Sequence, residues 1–251
     1  MEIGIYKGAA SMAALEKWQE AISQNIAASS VPGFKKTQVS FSAIESDLTS
    51  LSEGSKASDR VSGSMPQATP GINFSQGKLS PSDNELDFAI QGNGFFQVQL
   101  PNGEMGYTRN GQFHLSPEKT LVNGEGLQVM GDSGPITLKT GSGPVAVNAD
   151  GEITQADQPI AKLPAYNFSD TSKLRRVGEG LVGPDTDSGM TATKVDHAQI
   201  LNHYIENSNV SPLTEMVNLV SVSRAYEASQ KVVQTSDDNE DKAIQALGSP
   251  N

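Results

Sequence analysis

Gly131-Asp132-Ser133-Gly134-Pro135 has the order of a segment that presents a serine nucleophile. Acyl transfer by such a serine needs a histidine base and an oxyanion hole. The sole upstream histidine, His114, stands too near in the chain to come from a separate barrel, so the segment reads as a β-turn. His197 and His203 could ligate a metal, but their spacing suits neither a helical i, i+4 pair nor a zinc finger, and no carboxylate motif joins them. Gly92-Asn93-Gly94 opens like a dinucleotide fingerprint, yet Gln97 stands where a third glycine belongs and no helical pattern follows; it reads as a hairpin turn. Asp83, Glu85 and Asp87 flank a strand entry, and Asp237-Asp238 lie on a polar helical end, so paired-carboxylate chemistry lacks a cleft. The chain has no cysteine, which excludes thiol catalysis, disulfides and thiolate metal sites. The expectation is a protein that is not an enzyme and has no metal and no cofactor.

The elements that would have to position any site are therefore the informative part. A chain of 251 residues with 36% hydrophobic content can bury a real core. Its net charge of −11, with scattered Lys and Arg, argues against nucleic acid as a partner. No stretch approaches the roughly 20 apolar residues of a membrane span, so no membrane insertion is expected. The segment MEIGIYKGAASMAALEKWQEAI carries charges at helical spacing and reads as part of the structure rather than as a cleaved signal.

From Ile5 to Ala28 the pattern is an amphipathic helix, with Leu15, Trp18, Ile22 and Ile26 on one face and Ala9, Ala10, Ala13 and Ala14 permitting close approach. It ends at Ser29-Ser30-Val31-Pro32-Gly33-Phe34, where Pro32 and Gly33 suit the centre of a type II turn and Phe34 can fold back onto the helix. A second helix begins with Ser211 as N-cap and Pro212 at the first helical position. It carries two apolar stripes: Leu219, Val222, Tyr226 and Val233 in one, and Leu213, Met216, Val217, Val220 and Val232 in the other. One partner helix cannot cover both. Between the helices, residues 46–67 are Ser-rich and polar, a solvated arm with Leu48, Leu51, Val61 and Met65 as its few apolar anchors. The short apolar runs that follow, with Asn102-Gly103, Asn110-Gly111, Asn123-Gly124 and Asp150-Gly151 between them, predict an antiparallel domain of hairpins. The expected fold class is α+β, with paired terminal helices and an inserted antiparallel β-rich domain. The expected divisions are 1–36 for the N-terminal helix, 37–73 for the arm, 74–204 for the β domain and 205–251 for the C-terminal helix.

Gln24-Asn25-Ile26-Ala27 leading to Pro32-Gly33-Phe34-Lys35, the central LDFAIQGNGFFQV and YTRNGQF, and the terminal LNHYIENSNVSPLTEMVNLVSVSRAYEASQKVVQTSDD together resemble the bacterial flagellar rod and hook proteins. The three motifs occur in family order and cover most of the chain. The resemblance implies a structural subunit of the flagellar basal-body rod, whose terminal helices form an inner coiled-coil layer and whose partners are itself and neighbouring rod proteins. It also implies delivery by the flagellar type III export apparatus without signal cleavage. Position by position it carries over Asn25, Gly33 and Phe34 from the first motif, and Ser208, Asn209, Val210, Glu215, Met216, Val217, Arg224, Tyr226 and Glu227 from the last, with Val220 beside them in the outer stripe. Ser23-Gln24 and Ser29-Ser30-Val31 depart from the usual family residues. Length, Ile5-Tyr6 and Asp237-Asp238-Asn239 favour a proximal rod subunit, then a distal rod or hook-type one. A soluble enzyme and a β-rich periplasmic binding module are the alternatives of other classes.

Overall fold

The computed structural model describes residues 2–46, 63–139, 145–148, 150–156, 158–185, 188–196 and 198–248. The chain forms an N-terminal helix, a β-rich middle and a C-terminal helix, and divides into two compact units. One unit holds Met1–Ile26, Thr37–Gly71 and Ser211–Asn251; the other holds Ala27–Lys36 and Ile72–Val210.

In the helical unit, α1 spans Glu2–Ala27 and α2 spans Pro212–Gly248. Proline at the first position of α2 costs no hydrogen bond there, and the Ser211 carbonyl accepts the first helical bond from Glu215 N at 3.0 Å. Glu215 places negative charge in the first turn, where the helix dipole favours it. No glycine or proline then interrupts α2 before Gly248. Val222 is fully buried, and its stripe-mates Leu219, Tyr226 and Val233 are half-buried. On α1, Ala14, Ala21 and Ile22 are buried and Leu15, Trp18 and Ile26 half-buried. The helices touch where Gly8 leaves room for Val233 and where Tyr226 OH donates to Glu16 Oε1 at 3.1 Å. These contacts run in opposite chain directions, as antiparallel helices require.

Strands β1 (Thr37–Ser46) and β2 (Gly63–Ile72) pair with each other. The flanks of the polar arm are thus a strand pair, while residues 47–62, including Leu48, Leu51 and Val61, lie outside the described residues. Phe41 of β1 meets Trp18 edge-on with ring centroids 5.4 Å apart. Asn25 is buried and reads one backbone position twice: its Oδ1 accepts from Thr37 N and its Nδ2 donates to Thr37 O, both at 2.8 Å.

The Tyr226 bond has a pH consequence. Hydrogen bonding to Glu16, then the carboxylate charge, raises the phenol above its ordinary value of 10.0. A raised folded-state value means that the contribution is intact below the unfolded pKa and is lost as pH climbs through the folded one. Helix content followed by circular dichroism should therefore fall more steeply above about pH 10 in the wild type than in Tyr226→Phe. Superimposable titrations would show that the bond carries no such linkage.

The β-rich unit is antiparallel in each of its strand pairs. After β3 (Leu79–Pro81) and β4 (Phe88–Gln91), β5 (Phe96–Gln99) and β6 (Met105–Thr108) lie at the centre of an eight-stranded sheet, among the described residues. Consecutive residues of a strand face opposite ways, and Phe95-Phe96 exploit this at the entry to β5. Phe96 joins the main core with Phe88, Val98, Phe113, Leu121 and Val129, whereas Phe95 joins a second cluster with Tyr107, Phe168 and Leu174. T-shaped ring pairs fill both, Phe96 with Phe113 at 5.3 Å and Tyr107 with Phe168 at 4.8 Å.

Several expected turns differ. Asn102-Gly103 is a tight turn with positive φ at Gly103, and Asp132-Ser133 turns the chain between paired Gly131 and Gly134. Gly92-Asn93-Gly94 is not a hairpin: β4 pairs with Gln199–Asn202 and β5 with β6, so the turn passes the chain from one sheet to another. Gly111 has no left-handed φ; a Cβ there would lie 1.7 Å from the Phe88 carbonyl oxygen, so close backbone approach is what requires glycine. In the Asn123 turn the positive φ falls on Gly126, because Asn123 Oδ1 accepts from both Glu125 N and Leu127 N and sets a longer loop. Nor are all pairs sequential hairpins: β3 pairs with Tyr204–Glu206 and β6 with Leu181–Pro184. Pairing across such separations follows from the hydrophobic faces that must meet, which local turn signals do not report.

Candidate assembly site

The sequence motifs converge within the β-rich unit. Val31 to Phe34 forms the expected turn, with Phe34 N donating to Val31 O at 3.3 Å and Gly33 at φ 70°. Gly33 is pressed against the chain, since a Cβ would meet Asn110 N at 2.2 Å, and its N–H donates to Glu206 O at 2.6 Å. Phe34 is buried in the β-rich unit with the Arg176 guanidinium 4.3 Å from its ring centroid, and Arg176 also donates to the Lys35 carbonyl. A cation over an aromatic face is attracted by the ring quadrupole.

Glu206 is the hub. Its side chain is fully buried, Oε1 accepts from Lys35 Nζ at 2.5 Å and from Gly77 N at 2.9 Å, and Oε2 accepts from Arg109 Nη1 at 3.2 Å. Lys35 Nζ also donates to Ser75 O at 2.8 Å, and Arg109 Nη2 to Gly92 O at 2.7 Å. Burial pulls both the Lys35 ammonium and the Arg109 guanidinium below their ordinary ranges, with Glu206 opposing the shift in each case. Both cations rely on that one carboxylate. Next to it, Asn209 ties three segments together: Oδ1 accepts from Lys36 N at 2.7 Å, Nδ2 donates to Asn73 O at 2.9 Å, and its backbone N donates to Phe34 O at 3.3 Å. Ser208 Oγ accepts from Val210 N, and Val210 is buried.

On α2 the other stripe is uncovered. Leu213, Met216, Val217, Val220 and Val232 are 75%, 51%, 60%, 52% and 62% exposed, and Arg224 is exposed at the same helical spacing. Singly exposed apolar residues are ordinary, but five on one face of a 37-residue helix form a stripe that water covers poorly.

The structure thus separates the expected site residues into groups. Leu15, Trp18, Ile22, Asn25, Ile26 and Tyr226 act inside the helical unit, Gly33, Phe34, Ser208, Asn209 and Val210 in the motif junction, and Met216, Val217, Val220 and Arg224 face outward. Lys35, Arg109 and Glu206 were not among the expected residues. The signal for them was that each lies inside a family motif, but partners 171 and 97 residues apart show no periodicity that would pair them.

Reactive constellations do not form from the expected candidates. His114 and His203 are exposed, Asp132 pairs with Lys194 at 2.6 Å, and buried Asp87 is bonded by Ser82 and Asn84; His197 lies outside the described residues. A groove of about 540 Å³ beside β6 has Glu104, Arg175 and Asp185 as its charged lining, all exposed. Among the described residues no three His, Asp or Glu gather to hold a metal, and no helix is long and apolar enough to cross a membrane.

A β-rich unit flanked by helices, with a held junction and a bare apolar helical face, has the build of an assembly subunit. Two family profiles match the chain: the flagellar hook protein FlgE/F/G D1 domain over residues 89–155, and the flagellar basal body rod FlgEFG protein C-terminal over residues 201–246. The chain is 31% identical to the flagellar basal-body rod protein FlgF of Mesorhizobium japonicum, over 99% of both chains, and 32% identical to that of Caulobacter vibrioides over the whole of both. It is 35% identical to the flagellar basal-body rod protein FlgG of Buchnera aphidicola, over 86% of this chain and 88% of the relative. The chain belongs to the flagellar basal-body rod protein family.

Proposed function

We propose that this chain is a structural subunit of the flagellar basal-body rod that self-assembles through its terminal helices, packed in a coiled-coil-like layer. The observation that carries the assembly mode is the second α2 stripe, uncovered in the single chain. Complete burial of such a side chain is worth about 1.5–3 kcal/mol and each has half or more of its surface still to bury, so neighbouring subunits supply what α1 does not. The partners are further copies and neighbouring rod proteins. No reaction is assigned.

Relatives named FlgF align with 99–100% of this chain in two of the comparisons, against 86% for a FlgG relative, which supports a FlgF-type subunit. The terminal residues favour the proximal part of the rod. Glu2–Ala27 is a structural helix whose Gly8 and Glu16 meet α2, which supports passage through the flagellar export apparatus without signal cleavage. An in-frame deletion should leave cells without filaments, and basal bodies from a complemented strain should contain this chain with an uncut α1 by mass spectrometry. Normal flagella in the deletion strain would overturn the rod assignment; a chain lacking α1 in basal bodies would overturn the export reading alone.

A further inference from the structure

We infer that Lys35, Arg109 and Glu206 form an internal ionic clasp that holds together the two points where the chain leaves the β-rich unit, independently of any neighbouring subunit. The inference does not depend on what the chain assembles into. The unit is made of two segments, Ala27–Lys36 and Ile72–Val210, so Lys35 stands at the end of the first and Glu206 near the end of the second, the two places where the chain leaves it.

Three observations point the same way. First, the clasp draws Lys35 from the end of the first segment, Glu206 from near the end of the second and Arg109 from the position just after β6. Second, the bonds around it lace the two segment ends together through backbone groups: Gly33 N to Glu206 O, Asn209 N to Phe34 O, and Lys36 N to Asn209 Oδ1. Third, the members are 4%, 4% and 1% exposed. A surface pair would be screened and worth little; here water cannot replace a lost partner. Removing the carboxylate would strand two buried cations, and breaking a buried pair from one side is the costly way to break it. Hydrophobic residues could supply equal stability, but a non-directional contact does not choose among registers as two cations on one carboxylate do.

The clasp makes Glu206 a positioning residue, and its test must separate local loosening from general destabilisation. In full-length Glu206→Gln, amide hydrogen exchange at Gly33, Lys36, Gly77 and Asn209 should accelerate at least ~10-fold while the amides of β5 and its sheet neighbours keep their protection. Lys35→Met, which leaves the Arg109–Glu206 pair, should loosen the same amides by less, and it serves if Glu206→Gln does not fold. Glu206→Asp should restore part of the protection. Unchanged exchange at the four amides, or equal loosening across the sheet, would overturn the clasp.

Discussion

A chain carrying Met216→Ser and Val220→Ser is expected to fold and yet stay out of the rod. Both side chains are more than half exposed in the single chain, so their loss removes little that holds the helical unit, within about 0.5 kcal/mol for a surface position. Buried between subunits, the exposed halves of the same two side chains contribute about 1.5 kcal/mol or more together, and an association that loses this much weakens at least ~10-fold. Rod assembly repeats the contact at each subunit, so the defect recurs along the axis. The variant should give a wild-type melting curve, accumulate in soluble form and fail to restore swimming. Val222→Ser is the contrast: Val222 is fully buried, so its replacement should lower stability itself. Normal incorporation of the Met216/Val220 double variant would remove the α2 stripe from the assembly interface.

Gly33→Ala should be the most damaging single-methyl change at the motif junction. Two independent penalties meet there, a left-handed φ of 70° and a Cβ placed 2.2 Å from Asn110 N and 2.4 Å from the Arg109 carbonyl carbon. Relief by side-chain motion is impossible, because the obstructing atoms are backbone. The turn would have to shift, taking with it the Gly33 N bond to Glu206 O and the approach of Lys35 to its carboxylate. A loss of about 2 kcal/mol or more follows, equivalent to a fall of roughly 4–8 °C in Tm for a chain of this size. Gly92→Ala is the control, since its φ is also positive at 91° but open space surrounds the added Cβ, so its loss should be smaller. Equal Tm values for the two variants would show that the backbone contact does not matter.

Local signals in the chain already defined much of this protein. The start of α2 follows from Ser211-Pro212, because capping and the missing proline N–H act within one turn. The turn at Pro32-Gly33 follows from the dihedral angles those two residues favour. The double stripe on α2 was legible as an excess of apolar residues over what one partner covers. That arithmetic needs only the 3.6-residue period. The motifs likewise carry the resemblance to the flagellar family by sequence alone.

Tertiary packing decided the rest. Which stripe is covered depends on where α1 lies: Gly8 admits Val233 and Glu16 reaches Tyr226, leaving Met216, Val217 and Val220 in water. Phe34 follows a hydrophobic pattern toward a helix, yet an Arg176 far along the chain claims its ring face. Asn110-Gly111 carries the dipeptide of a hairpin, but the Phe88 carbonyl occupies the space beside Gly111, so the glycine serves contact rather than turning. Periodicity reports only a residue's local face. The bonding of Lys35 and Arg109 to Glu206 depends on which distant strands meet, and a buried charge reveals its partner only after the chain has excluded water around both.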